Sequence, residues 1–119
     1  MTDRRFPKVV YRHGSEPDPR FTLANERTFL AWIRTSLALV AAGVALEALE
    51  LPIQPELRLL AAAIFILLGI AAPAHAWIGW MRTERRMRRN LPLPAPALSG
   101  VLAAGVVIAG LLIAAGLLL

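Results

Sequence analysis

Three arginines, Arg20, Arg27 and Arg34, recur at every seventh position where the charged stretch "DPRFTLANERTF" runs into the apolar stretch "LAWIRTSLALVAAGVAL". Seven residues are two helical turns, about 10 Å, with a drift of about 20° per step, so the three side chains form one stripe. Rings of arginine or lysine are how anion and phosphate pores select by charge. The spacing therefore indicates chemistry with a negatively charged partner.

The stripe continues along the helix as small residues, and it allows two interpretations. The small residues are Ala31, Ala38, Ala41 and Ala45, and the opposite face carries Phe29, Trp32, Ser36, Val40 and Gly43. In the first interpretation, Arg34 snorkels back to lipid phosphates and the alanines form a close contact between helices. In the second, several copies of the helix surround one axis, the arginines form stacked positive rings and the alanines leave a narrow lumen. The residues alone leave both interpretations open.

No combination of residues points to catalysis. The chain has no cysteine, no Ser–His–acid set, no paired carboxylates in its apolar runs and no phosphate-cradling glycine loop. A metal site would have to use His13, His75 and scattered carboxylates, whose spacing matches no ligand pattern. We therefore expect no enzyme activity, no metal and no cofactor, and we interpret His75 as a hydrogen-bonded packing residue.

Three apolar runs determine the expected fold. They cover about residues 28–51, 57–81 and 97–119 of a 119-residue chain that is 57% hydrophobic. Each run reaches the roughly 20 residues with which an α-helix crosses about 30 Å of hydrocarbon. The sequence therefore predicts an all-α membrane protein with three transmembrane helices, at about 19–50, 57–89 and 97–119. A basic cytoplasmic arm, 1–17, precedes this three-helix membrane domain, 18–119.

The first helix is expected to extend into the cytoplasm. Asp18 and Pro19 are a strong helix start, because an acceptor side chain at the N-cap is followed by the residue preset for the first helical position. A helix over 19–50 would be about 48 Å long, which exceeds the thickness of the hydrocarbon. The first turns must therefore project beyond it.

The distribution of charge predicts the orientation of the chain. The amino-terminal arm and the second connection are basic, whereas the first connection is acidic, with Glu47, Glu50 and Glu56. Lys and Arg in short loops stay on the cytoplasmic side, so we expect the amino terminus inside and the carboxyl terminus outside. The arginines of the second connection form a predicted cytoplasmic basic face, comprising Arg82, Arg85, Arg86, Arg88 and Arg89. Membrane lipids are its expected partners, and nucleic acid is not, because no stacking aromatics or nucleic-acid motif accompany the charges.

The segment "LANERTFLAWIRTSLALV" resembles the signature of the YidH-like proteins, small multi-pass proteins of the bacterial inner membrane that are classed as a domain of unknown function. The core of the resemblance is Ala24–Phe29, "ANERTF". Asp18-Pro19-Arg20 resembles the family's acidic-Pro-basic element, and the segment from Trp80 to Arg89 resembles the aromatic-then-basic end of its second span. The resemblance implies a three-helix membrane unit with a cytoplasmic amino terminus.

The same domain resembles the membrane part of the vacuolar transporter chaperone complex, the eukaryotic polyphosphate polymerase. There, the first helices of five subunits line a basic channel for polyphosphate. The resemblance implies that Arg20 and Arg27 face such a channel in a homo-oligomer, with a pentamer favoured, and that Glu26 pairs with nearby basic groups. Arg34 departs from the eukaryotic pattern, which has an uncharged polar residue there, and would add a deeper ring. The chain has no polymerase domain, so we do not expect it to make polyphosphate.

Two hypotheses for function follow from these observations. In the first, the chain forms a homo-oligomeric conduit for phosphate or polyphosphate-like anions, lined by the first helix. In the second, it is a non-conducting membrane adaptor or scaffold that recruits partners through its basic cytoplasmic face.

Overall fold

The computed structural model of the protein describes residues 4–94 and 98–119. Within these residues the chain forms a short helix α1, Lys8–Tyr11, and three long helices, α2, Pro19–Ala48, α3, Pro55–Arg88, and α4, Ser99–Leu118. Each long helix has the length and apolar composition of a membrane span. The prediction of an all-α protein with three transmembrane helices is therefore confirmed.

Local capping determines where α2 begins and ends. The Asp18 carboxylate accepts a hydrogen bond from the backbone N–H of Arg20 at 2.9 Å, and Pro19 occupies the first helical position. This geometry satisfies one of the free N–H groups of the first turn. The helix ends at Ala48, two residues before the predicted end, because the backbone turns at Leu49 and Glu50 takes a φ of 48° in the left-handed region.

Helix α3 begins two residues earlier than predicted. The Gln54 side chain accepts a hydrogen bond from the backbone N–H of Leu57 at 2.9 Å, and Pro55 fits the first helical position. The helix continues through Pro73 to Arg88, after which Asn90 has a φ of 55°. The predicted start of the third span at Ala97 lies outside the described residues, and α4 is observed from Ser99.

Helix α3 is the central element, and it packs against both α2 and α4. Small residues bring α2 and α3 close together. A Cβ added at Gly43 would lie 2.6 Å from Ile66 Cγ1, and one added at Gly69 would lie 2.6 Å from Val40 Cγ2. Such close approach of backbones is typical of helix pairs in membranes, where van der Waals packing replaces the hydrophobic effect.

The outer ends of the helices enclose the apolar core, which consists of Leu46, Ile53, Ala61, Ala62 and Ala109. The connection between α2 and α3 also contacts the end of α4, where the backbone N–H of Gln54 donates to the Gly116 carbonyl at 2.9 Å. One small-residue pair of α4, Gly105–Ala109, faces α3, whereas Gly110 and Ala114 are exposed. Large apolar side chains that point away from the bundle, such as Leu67 and Leu111, form the surface that meets lipid.

The orientation of the chain across the membrane is tested by cysteine labelling, since the natural chain contains no cysteine. Ser15 lies at the end of the molecule where α2 begins, and Pro52 lies in the connection at the opposite end. With the amino terminus inside, a Pro52→Cys variant is expected to react with a membrane-impermeant maleimide in intact cells. A Ser15→Cys variant is expected to react only after permeabilisation.

The opposite labelling pattern would reverse the topology. Labelling of both cysteines in intact cells would contradict a single orientation.

Candidate functional site

The arginine stripe lies on the face of α2 that this chain leaves uncovered. Arg20, Arg27 and Arg34 are all exposed, and the Arg20 side chain, which pairs with Asp18 at 2.9 Å, is 85% exposed. The alanines of the stripe are also uncovered, except that Ala45 is half-buried. Helix α3 covers the opposite face, where Ser36 and Gly43 are buried. The structure therefore places the stripe on the surface.

Contacts between α2 and α3 determine the depth of Arg34. On one side of it, the Trp32 ring packs edge-on against His75, with centroids 5.3 Å apart. On the other side, the Ser36 hydroxyl donates to the Gly69 carbonyl at 2.5 Å. Arg34 thus lies level with the part of α3 between Gly69 and His75, well within the apolar segment.

An ion pair near the connection between α2 and α3 gives a reference for the membrane boundaries. The Arg58 guanidinium lies 3.3 Å from the Glu47 carboxylate. A hydrocarbon layer of about 30 Å, or about 20 helical residues, measured from Glu47 ends near Arg27. With one boundary at Glu47, Arg20 lies about 10 Å beyond the other boundary, and Arg34 lies about 10 Å within the hydrocarbon. A charge at that depth is costly unless it faces a partner, water or headgroups.

A buried carboxylate of α3 contacts the side of the "ANERTF" motif that faces this helix. Glu84 is 1% exposed, and its side chain accepts hydrogen bonds from Asn25 Nδ2 at 3.2 Å and from the Thr22 hydroxyl at 3.4 Å. Asn25, itself buried, also donates to the Trp80 carbonyl at 3.1 Å. The sequence did not predict this contact, because Glu84 lies in a segment rich in arginine, where a charged side chain is usually exposed to solvent. The spacing of Thr22 and Asn25 on the face opposite the stripe was the available signal.

The amino-terminal segment, residues 4–16, folds over the carboxyl-terminal end of α3. Arg88 is 6% exposed, and its guanidinium donates to the carbonyls of His13 at 2.7 Å and Tyr11 at 3.0 Å and to the Glu16 carboxylate at 3.1 Å. The backbone N–H of Ser15 donates to the Arg88 carbonyl at 2.9 Å. Charge-assisted hydrogen bonds of this kind are stronger than those between neutral groups. They hold the segment on α3.

The sequence groups Arg88 with the basic cytoplasmic face, but the structure removes it from that surface. Its side chain is directed into the amino-terminal segment, where backbone carbonyls and Glu16 satisfy the guanidinium. Gly14 allows the contact, since it has a φ of 64° and an added Cβ would lie only 2.0 Å from the Arg88 carbonyl oxygen. No other residue fits that position without displacing the segment.

Aromatic side chains extend this contact toward the membrane. Trp77 stacks with Phe6 at 6.3 Å between centroids and with Trp80 at 5.4 Å, and Phe29 packs edge-on against Trp77 at 6.2 Å. Tyr11 packs against Trp80 at 6.5 Å. Trp77 and Trp80 therefore anchor the amino-terminal segment near the end of the apolar part of α3, where tryptophan rings usually meet the membrane interface.

Hydrogen bonds from two arginines shift the acidity of Glu16. The guanidiniums of Arg5 and Arg88 both donate to its carboxylate and lower the pKa of Glu16 below its ordinary value. The charged form is thus favoured when the amino-terminal segment is docked.

The remaining arginines at the end of α3 surround a cavity of about 360 Å³. Its lining, the arginine cavity, consists of Arg82, Arg85, Arg86, Arg89, Leu91 and Pro92. The Arg86 guanidinium donates to the Pro92 carbonyl at 3.0 Å and so holds the following chain against the helix. The structure thus brings together four of the five arginines predicted for the basic face.

The structure also describes the surroundings of Glu26, of the His and acidic side chains, and of His75. Glu26 is exposed beside Arg27 and makes no ion pair within residues 4–94 and 98–119. In the same part of the chain, no cluster of three or more His, Asp or Glu side chains is placed to hold a metal ion. His75 packs against Trp32.

Comparison with known proteins identifies relatives of the chain. Residues 20–86 match the family described as a domain of unknown function, DUF202. An uncharacterised protein of Mycobacterium tuberculosis is 48% identical over 97 residues, which cover 80% of this chain and 79% of that protein. The inner membrane protein YidH of Escherichia coli is 44% identical over 86 residues, which cover 71% of this chain and 75% of that protein. No solved structure matches the chain.

Replacement of Asn25 tests the contact between the motif and α3. An Asn25→Ala variant is expected to lower the free energy of unfolding by about 1–3 kcal/mol, because Glu84 and the Trp80 carbonyl each lose a buried donor. The neighbouring Glu26→Ala change removes an exposed side chain and is expected to alter stability by less than about 0.5 kcal/mol. Unfolding in detergent micelles, followed by circular dichroism, measures both, and equal losses would contradict the assignment.

Acid is expected to release the amino-terminal segment. Because the folded-state pKa of Glu16 is lowered, its contribution to the stability of the docked segment is complete above the ordinary glutamate pKa of 4.5. That contribution is lost as the pH falls through the folded-state pKa. Release separates Phe6 and Tyr11 from Trp77 and Trp80, so tryptophan fluorescence should report a transition below about pH 4.5.

The control is Glu16→Gln, which cannot ionise. It is expected to show the fluorescence of the released state already at neutral pH and to lack the transition. A transition of unchanged midpoint in this variant would assign the acid effect to another group.

Proposed function

The chain belongs to the DUF202 family, as its "ANERTF" motif predicted, and we propose that several copies assemble around α2 into a conduit for phosphate-like anions. The protein is a multi-pass protein of the inner membrane, in keeping with its three apolar spans and with its relative YidH. The proposal concerns what this membrane unit does.

The observation that carries the proposal is the exposure of Arg34. Its side chain is uncovered on α2, about 10 Å within the hydrocarbon by helical rise, and Ala31, Ala38 and Ala41 on the same face are also uncovered. In a single copy this face would present a charge to lipid, which is costly. In a ring of copies the same face encloses an axis, where the arginines meet water and anions and the alanines allow the helices to approach closely.

The spacing of the stripe supports conduction along the membrane normal. Arg20, Arg27 and Arg34 would form three rings about 10 Å apart, from the cytoplasm to within the hydrocarbon. Successive sites that bind an anion without trapping it are what conduction requires. Glu26, exposed beside Arg27, is available to pair with a basic group of a neighbouring copy, as the resemblance to the polyphosphate polymerase complex implies. That resemblance favours a pentamer.

An adaptor function is the second candidate, and the arginine cavity favours it. Arg82, Arg86 and Arg89 are presented at the cytoplasmic end of α3 and are not needed for a conduit lined by α2. A non-conducting scaffold would use this surface to recruit a partner. Anion flux distinguishes the two candidates directly.

The conduit is tested by copy number and flux. Native mass spectrometry of protein released from lipid nanodiscs is expected to give one closed species of about four to six copies. In liposomes, Arg34→Ala is expected to reduce phosphate or pyrophosphate flux about tenfold or more while the copy number is unchanged, because the deepest ring of charge is lost.

The matched control is Arg12→Ala, which removes an exposed arginine from the amino-terminal segment and should leave flux unchanged. A monomer or dimer could not enclose a lumen with one helix per copy and would exclude the conduit. Background flux from a correctly assembled ring would instead favour the adaptor.

A further inference from the structure

We propose that the arginine cavity at the end of α3 is a binding site for a phosphoryl group that carries two or more negative charges. The site is separate from the stripe on α2, since none of the stripe residues lines the cavity. The inference therefore goes beyond the proposed conduit and does not depend on it.

The charges of the cavity are not neutralised by the rest of the described chain. Arg82, Arg85, Arg86 and Arg89 make no ion pair within residues 4–94 and 98–119. The acidic side chains nearby are already engaged, because Glu84 is turned toward α2 and Glu16 is held by Arg5 and Arg88. Four guanidiniums around one cavity repel each other unless an anion lies between them.

The backbone shapes these residues into a concave site. Positions 82, 85, 86 and 89 have the spacing of one helix face, so their side chains project together. After α3 ends, Asn90 adopts a φ of 55° and the chain turns back, and Leu91 and Pro92 close one side of the cavity. The hydrogen bond from Arg86 to the Pro92 carbonyl holds this wall in place. The four arginines therefore border one concavity, in which Arg86 is held by its hydrogen bond.

The guanidinium of Arg85 carries a donor that the described chain does not satisfy. Arg85 Nε is buried and has no hydrogen-bond partner among residues 4–94 and 98–119. A buried donor without an acceptor is costly, so the described chain by itself does not fully stabilise this side chain, which lines the cavity. The cavity of about 360 Å³ has room for a phosphate or pyrophosphate group with several waters.

Guanidinium chemistry favours phosphate over other anions. The planar guanidinium of arginine donates hydrogen bonds to two oxygens of one phosphate. Four guanidiniums therefore suit a group that has several oxygens and more than one negative charge. A hydrocarbon layer of about 20 helical residues, measured along α3 from Arg58, ends near residue 78. The first arginine of the cavity, Arg82, lies about 6 Å beyond that boundary, at the level of headgroups. The phosphoryl group can thus come from an anionic lipid or from a soluble phosphate compound, and both present the same chemistry.

The experiment compares two charge-matched double variants in the full-length protein. Arg82→Gln with Arg89→Gln removes two exposed arginines of the cavity, and Lys8→Gln with Arg12→Gln removes two exposed basic residues outside it. Each protein is placed in nanodiscs of zwitterionic lipid and titrated with pyrophosphate by calorimetry. In a second arm, nanodiscs contain phosphatidylglycerol, and native mass spectrometry counts the lipid molecules retained by the protein.

Loss of pyrophosphate affinity by about tenfold or more in the cavity variant, with the control unchanged, would support a site for soluble phosphate. Loss of retained phosphatidylglycerol in the cavity variant alone would support a lipid headgroup. Binding that is equal in the two variants, or absent from both arms for the natural protein, would overturn the proposal. Unchanged anion flux in the cavity variant would leave the conduit unaffected, so the two proposals fail separately.

Discussion

A polar group that is buried between two helices is costly unless it has a hydrogen-bond partner, and the arrangement of this protein depends on that constraint. Within the described α2–α3 contact, the buried side chains of Asn25, Ser36 and Glu84 each have a hydrogen-bond partner. The Ser36 hydroxyl donates to a carbonyl of α3, and Asn25 and Thr22 donate to Glu84. Because these bonds occur at fixed positions along both helices, they determine the register of α2 against α3. The same register defines the depth of Arg34.

The constraint divides the "ANERTF" motif between two tasks. Asn25, together with Thr22 one turn before it, belongs to the face that contacts α3, whereas Glu26 and Arg27 lie on uncovered surface. A helix can serve both tasks because neighbouring residues differ by about 100° around its axis. The packing face is complete within one copy of the chain. The charged face stays uncovered in the described chain, and this exposure supports the proposed assembly with further copies.

The carboxyl-terminal end of α3 shows a similar division among arginines of similar sequence context. Arg88 holds the amino-terminal segment through backbone carbonyls and Glu16, whereas Arg82, Arg85, Arg86 and Arg89 surround a cavity. The amino-terminal segment covers one side of α3, and the chain after Asn90 closes the other. Two cationic surfaces on different helices follow: the arginine stripe along α2 and the concave arginine cavity at the end of α3.

The sequence by itself determined the number of spans, the helix starts at Pro19 and Pro55 within two residues, and the single stripe of Arg20, Arg27 and Arg34. These properties depend on apolar length, capping chemistry and helical periodicity, which act between residues close in the chain. Only the tertiary structure decided that Asn25 meets Glu84, that Arg88 is buried and that four other arginines share a cavity. Those contacts join residues about 60 to 75 positions apart, or depend on how the chain turns after α3, and side-chain type alone does not distinguish a buried arginine from an exposed one. The physical reason is that periodicity describes the faces of one helix, whereas the partner of each face is determined only when the helices pack.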